Sequence, residues 1–229
     1  MDKNASILGL YIGQPEHRWE GKEPSAIRKT RAEGTQDVNQ TGFVLDQQAD
    51  LTVHGGLEKA IHHYPSEHYS QWQEQFPETS AAYQIGGFGE NLSTAGFTEE
   101  DLCVGDVIAA GSARLQISQG RQPCWKLNLH AGNSKMAAAF QKAGKTGWYY
   151  RVLETGHITV GDDMKIIERP CPDWNLRDVI LARFNPRLDQ ETAARLAELR
   201  ELAEPWRISF AKKAHPAFHE DTSRRLKGV

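Results

Sequence analysis

"VGDVIAAGSARLQIS", Val104 to Ser118, decides the fold. Two runs rich in apolar and β-branched residues flank Gly111-Ser112, so the stretch predicts a hairpin turning there. The same texture recurs on both sides of it. "SILGLYIG" (Ser6–Gly13), "ADLTVHGG" (Ala49–Gly56) and "WYYRVLETGHITVGDDMKII" (Trp148–Ile167) are short β-rich runs broken by turn residues. Runs of this kind at close spacing predict a curved sheet or barrel. Two helical interruptions are expected, one over about Leu57–Phe76 with a restart at Pro65, the other over about Lys135–Lys142.

Further out, the texture changes. Of the 20 glycines, all but Gly228 lie before residue 168. After the proline-bearing linker "ERPCPDW" the chain reads helical in "NLRDVILARFN", "DQETAARLAELREL" and "EPWRISFAKKA". Asp189 is a good N-cap, and Leu196, Leu199 and Ala203 share one face. The fold class is therefore mainly β, a β-barrel domain over 1–167, with a three-helix domain and a polar tail over 168–229.

Composition narrows the function. The 229 residues suffice for a sizeable core, and a net charge of −3 argues against a broad basic face for nucleic-acid polymer. No apolar run approaches the ~20 residues of a membrane-spanning helix. Three cysteines without CxxC spacing, and no signal peptide, point to a reducing, cytoplasmic setting.

Cys124, in "SQGRQPCWKL", stands between Arg121 and Lys126, and adjacent cations favour a thiolate, which is a nucleophile or a soft metal ligand. Cys103 and Cys171 read as a core thiol and a linker thiol. In "SAIRKT", Arg28 and Lys29 are consecutive and point to opposite faces of a strand, so at least one can grip a phosphate. His54, Gly55 and Gly56 in "DQQADLTVHGG" offer a ligand contact and a close backbone approach. "GGFGEN" offers backbone donors around Gly89, with Glu90 and Asn91 able to hydrogen-bond a heterocycle. His62, His63 and His68 lack zinc spacing and read as surface or capping histidines. No GxSxG or GxxxxGK[ST] motif is present.

Taken in order, "SAIRKT", "DQQADLTVHGG", "GFGENLS", "RQPCWKLN" and "GWYYRVL" resemble the MOSC domain family, and "HYPSEHYSQW" with the helical C-terminus resembles its YiiM-like subgroup. The resemblance implies a β-barrel that binds the molybdenum cofactor in its molybdopterin form. It places the metal-binding, catalytic cysteine at Cys124. Arg28, Lys29, Arg121, Lys126 and Arg151 become candidates for the cofactor's anionic parts. His54, Gly55, Gly56, Gly89, Glu90 and Asn91 become candidates for pterin or substrate contacts. The implied activity is reduction of N-hydroxylated compounds such as 6-N-hydroxylaminopurine, with electrons from a flavin-type partner reductase. No membrane or nucleic-acid partner is implied, and an oligomer is allowed. A sulfur carrier using a Cys124 persulfide and a non-catalytic cofactor-binding module stay open beside it. Two positions depart from the family pattern: Leu45-Asp46 stands for Gly-Asp, and "SQGR" for "SQPR".

Overall fold

The computed structural model describes residues 3–216, 218, 220 and 222–228. The chain opens with β1 (Asn4–Gly13), whose alternating burial is that of a strand with one face on a core. β2 (Lys29–Arg31) pairs with its far end. A small separate sheet holds β3 (Thr35–Asn39) and β4 (Gly42–Phe43).

The expected helix over 57–76 is corrected here. A 3-10 turn covers Leu57–Lys59, and "IHHYP" forms the strand β5 (Ile61–Pro65), buried at every residue. Only then does α1 (Glu67–Gln75) begin. A strand buried on both faces shows no period-2 alternation, so its pattern cannot be told from that of a buried helix. β6 (Leu92–Ala95) runs parallel to β5.

β7 (Val107–Ala110) and β8 (Ala113–Gly120) form the expected hairpin, with Ala110 facing Ala113 across the turn. Gly111 turns at φ 56°, where a Cβ would meet the His157 carbonyl at 2.2 Å, so only glycine fits. Then come α2 (Trp125–Ala131), unforeseen from the sequence, and α3 (Met136–Ala143), where the second helix was expected. β9 (Trp148–Glu154), β10 (Gly156–Thr159) and β11 (Asp163–Glu168) complete the β part. The order β11-β7-β8-β9-β5-β6-β1 closes through a β1–β11 pairing into a seven-stranded barrel, which leaves those strands no free edge.

The three helices read after the linker are α4 (Leu176–Phe184), α5 (Gln190–Glu198) and α6 (Glu204–Lys213). Asp189 caps α5 by accepting from the Thr192 N–H at 2.8 Å. A short α7 (Ser223–Lys227) lies in the tail. Ile180, Leu196, Trp206 and Phe210 belong to the same buried cluster as the barrel residues Leu10, Ile117 and Trp148, so the helices share the barrel's core. Gly120 makes that contact possible. A Cβ there would lie 2.3 Å from Ile180 Cγ1, which gives the glycine of "SQGR" a packing reason.

A second cluster sits outside the barrel, where α1, α3 and residues 83–88 meet. Phe140 stacks on both Tyr64 (5.4 Å) and Trp72 (4.8 Å), and Tyr69 on Phe88 (4.9 Å). Truncating Phe140 would remove the plate common to two stacks, at a cost of about 3–5 kcal/mol. This cluster fixes the segments on which one wall of the site is built.

Candidate functional site

β8 ends at Gly120, and Arg121 to Pro123 lead directly to Cys124 in the N-cap position of α2. The backbone there is extended (φ −132°, ψ 172°), and the thiol is partly exposed. It borders an open cleft of about 720 Å³, including the solvent-facing mouth. Lys29, His54, Gly55, Gly89, Asn91, Arg121 and Lys126 line the same cleft, so segments up to about a hundred residues apart meet there. The barrel brings them together: β2 carries Lys29 off the end of β1, while β8 delivers Arg121 beside β9.

The cleft's cations differ in how they are balanced. Lys29 Nζ lies 2.5 Å from Asp46 Oδ1, with both side chains almost fully buried, and burial pushes the lysine below its ordinary value. Arg121 instead donates from Nη1 to the Phe88 carbonyl (2.6 Å), Lys126 to that of Pro24 (2.9 Å), and Lys59 to that of Val53 (2.7 Å). A carbonyl satisfies a donor without cancelling its charge, so these three leave the cleft positive toward an anion. His54 responds to them. Burial first, then Lys59, Lys126 and Arg121, push its pKa down to about 4, so the ring is neutral near pH 7.

Four sequence candidates are placed elsewhere. Arg28 is exposed and lies just before β2, whereas the Lys29 side chain is buried. Gly56 opens the 3-10 turn at φ 79°. Glu90 is fully buried behind the wall. Its carboxylate accepts from the Gly86 N–H (2.6 Å), the Phe88 N–H (3.0 Å) and the Tyr69 hydroxyl, and burial raises its pKa. Those oxygens hold the glycine loop in shape and do not face a heterocycle. Arg151, read as a contact for the cofactor's anionic parts, is ion-paired with Glu58 and donates to Gln116 Oε1 (2.8 Å) and the Glu201 carbonyl (2.9 Å). Asn91 does line the cleft, but both ends of its amide are engaged. Oδ1 accepts from the His62 N–H (3.1 Å) and Nδ2 donates to the Tyr11 carbonyl (3.1 Å). Its role is to brace the wall.

The three histidines read as surface or capping residues are all buried. His63 bridges the Tyr150 and Thr94 hydroxyls (3.0 and 2.8 Å), and His68 reaches Glu99 at 2.6 Å. His62 is in the cleft wall, its Nδ1 3.3 Å from the Gly89 carbonyl and its ring 5.0 Å from that of Tyr149. Asp46, Lys59 and Tyr149 also line the cleft. Asp46 could have been singled out, because it begins the "DQQAD" phrase; the other two carry no local signal.

Among the described residues, no group of three or more His, Cys, Asp or Glu could hold a metal ion. A metal beside Cys124 would therefore take one soft sulfur from the chain and its remaining ligands from elsewhere. A lone thiol in a cleft walled by uncancelled cations fits a metal that arrives on an anionic, sulfur-bearing organic ligand. Among the described residues no helix is long and apolar enough to cross a membrane.

The comparisons with known proteins agree with this geometry. The family model for the MOSC domain matches residues 50–165. The protein YiiM of Escherichia coli (strain K12) is 36% identical over 221 residues, which is 96% of this chain and 98% of that one. Its crystal structure superposes with a TM-score of 0.82, covering 97% of this chain and 98% of that one at 30% identity. A protein of Gibberella moniliformis (strain M3125 / FGSC 7600) named as a reductase is 37% identical over 167 residues, 71% of this chain but 30% of that longer one. With the barrel closed and Cys124 at its cleft, the chain belongs to the MOSC domain family, in its YiiM-like branch.

Proposed function

We propose that this protein is a molybdenum-cofactor-dependent reductase of N-hydroxylated compounds, of which 6-N-hydroxylaminopurine is the representative substrate. The observation that carries the reading is a single accessible thiol, Cys124, in a cleft where Arg121, Lys59 and Lys126 donate to backbone carbonyls and, among the described residues, are paired with no carboxylate. Cys124 would bind the metal through sulfur. Arg121, Lys126 and Lys59 would hold the anionic end of the molybdopterin, while Lys29, paired with Asp46, shapes the wall behind them. When bound, the cofactor supplies the two-electron redox chemistry that no side chain provides.

The chain's own residues bind, orient and screen. Reduction of R–NHOH to R–NH2 and water takes up two electrons and two protons; a flavin-type partner reductase provides the electrons and solvent the protons. Neutral His54 has one bare ring nitrogen, which can accept a hydrogen bond from a ligand N–H or O–H near pH 7. Asn91, His62 and Tyr149 brace one another along the inner face of the cleft. The reductase name of the fungal relative supports the reaction class, and a reducing cytoplasmic setting suits a free thiol.

The test is molybdenum quantification on full-length protein from cells that make the cofactor, paired with turnover of 6-N-hydroxylaminopurine under a reduced viologen donor. Molybdenum near one per chain with turnover is the expected result. Cofactor-replete cells yielding folded protein without molybdenum would overturn the reading and leave the sulfur-carrier alternative in its place.

A further inference from the structure

The tail after α6 makes contacts that the function above does not use. It returns across the helices to the turn that carries Cys124. Glu220 anchors it, accepting from Arg183 Nη1 and Nη2 of α4 at 2.7 and 3.0 Å, with Lys213 of α6 at 3.7 Å. Arg183 is 5% exposed and the Glu220 side chain 23%, so this anchor is a half-buried, two-pronged ion pair.

Five residues further on, Arg225 reaches the cysteine turn. Its Nη1 donates to the Pro123 carbonyl at 2.6 Å, one peptide unit before Cys124, and its Nη2 to Gln141 Oε1 of α3 at 2.9 Å. The guanidinium also lies over the Phe184 ring, 5.4 Å from its centroid. Asn128 Nδ2 of α2 donates to the Leu226 carbonyl at 3.1 Å. Gly228 lies against the Trp125 indole so closely that a Cβ there would sit 2.9 Å from the ring. Residues before, beside and after Cys124 are thus each held by the same short stretch of tail.

We infer that residues 222–228 form a strap that fixes the Cys124 turn, with Glu220 as its anchor and Arg225 as a positioning residue acting through the Pro123 carbonyl. α2 is short, and its first turn receives no side-chain cap, so little within it holds the cysteine in place. The strap ties that turn to α4 and α6, and so gives the helical part a role at the site without a ligand of its own. The inference rests on the reading of Cys124 as the metal-binding thiol, but what it asserts about the thiol is measurable without metal.

The experiment uses full-length protein prepared without molybdenum. Cys124 is modified in parallel with iodoacetamide and with a bulky neutral maleimide, and each cysteine peptide is followed by mass spectrometry. The same thiolate attacks both reagents, so the ratio of the two rates reports access alone. In Arg225→Ala the bulky-to-small ratio at Cys124 should rise about fivefold, the weight of one net hydrogen bond. Arg225→Lys, which keeps a donor for the Pro123 carbonyl, should return it toward wild type. Cys103 and Cys171, both buried, should stay slow throughout. Glu220→Gln loosens the anchor far from the thiol and should give the same selective rise, smaller in size. An unchanged ratio, or a joint rise of all three cysteines, in both Arg225→Ala and Glu220→Gln overturns the strap. Wild-type molybdenum content decides the cofactor reading separately, so either can fail alone.

Discussion

Arg-Gln-Pro-Cys at 121–124 and Arg-Pro-Cys at 169–171 each set an arginine and a proline beside a thiol. In the linker the arginine is consumed. Arg169 forks onto Asp106 (Nε 2.9 Å, Nη2 2.7 Å) and donates again to the Asp101 carbonyl. Burial and then Glu201 push the Cys171 thiol up to about 12, and burial raises Cys103 too, whose Sγ–H points at the Pro172 carbonyl at 3.6 Å. At the cleft, Arg121 meets a carbonyl and no carboxylate, and Cys124 stays partly exposed. Local sequence places a cation beside a thiol; the fold decides whether a buried carboxylate takes the cation away.

The comparison breaks first if the two thiols are interchangeable. Cys124→Ala should lower molybdenum content and turnover by at least about 100-fold, the upper range seen even for residues that only support a metal ligand. Its melting temperature should stay within about 3 °C of wild type, since a small side chain at a pocket wall leaves little cavity. Cys171→Ala should keep both molybdenum and turnover. Parallel metal analysis, activity and thermal melts check the pair, and equal losses in the two variants would dissolve the distinction.

Next in size is the carboxylate that consumes the linker arginine. Asp106 is fully buried and also accepts from the Cys103 N–H at 2.9 Å. Asp106→Ala would leave Arg169 and that amide without their partner, at a cost of about 3–5 kcal/mol. In a chain of this size that is a fall of roughly 10 °C in melting temperature. Molybdenum per folded chain should not change, because the linker lies outside the cleft.

The same contrast explains what was legible in the sequence. The Gly111-Ser112 hairpin and the capped helix after Asp189 are local, and both could be read from a dozen residues. The ordered motif set also indicated a common site, and Lys29, His54, Gly89, Arg121, Cys124 and Lys126 do line one cleft. What could not be read depended on distant partners. Arg151 is diverted by Glu58, 93 residues away, and Glu90 by Tyr69 across the second aromatic cluster. "IHHYP" hid a strand because its neighbours bury both faces, and its polar histidines read as surface residues because the hydroxyls and carbonyl that satisfy them come from other strands and loops. α2 was missed because no polar cap marks its start.

The smallest expected effect separates the two regions by pH. His54 has a folded value of about 4, below its ordinary 6.5, so as pH falls the unfolded chain takes up the proton first. Its contribution is complete above about pH 6.5 and is lost between there and about 4. Cys171 runs the other way. Its folded value of about 12 lies above the ordinary 9, so the unfolded chain loses the proton first as pH rises, and stability is lost above about pH 9. Each of these two contributions should amount to about 1–2 kcal/mol, once solvent at the cleft mouth and around the linker is allowed for. Denaturant unfolding at about pH 4.5, 7 and 10.5 measures both limbs. His54→Gln should shrink the acid limb by the share of this one ring, leaving that of His62, His63 and His130, and Cys171→Ala should shrink the alkaline limb alone, leaving that of Cys103. A single variant that flattened both would mean that the cleft and the linker titrate as one unit, and the contrast between the two thiols would then have no separate electrostatic basis.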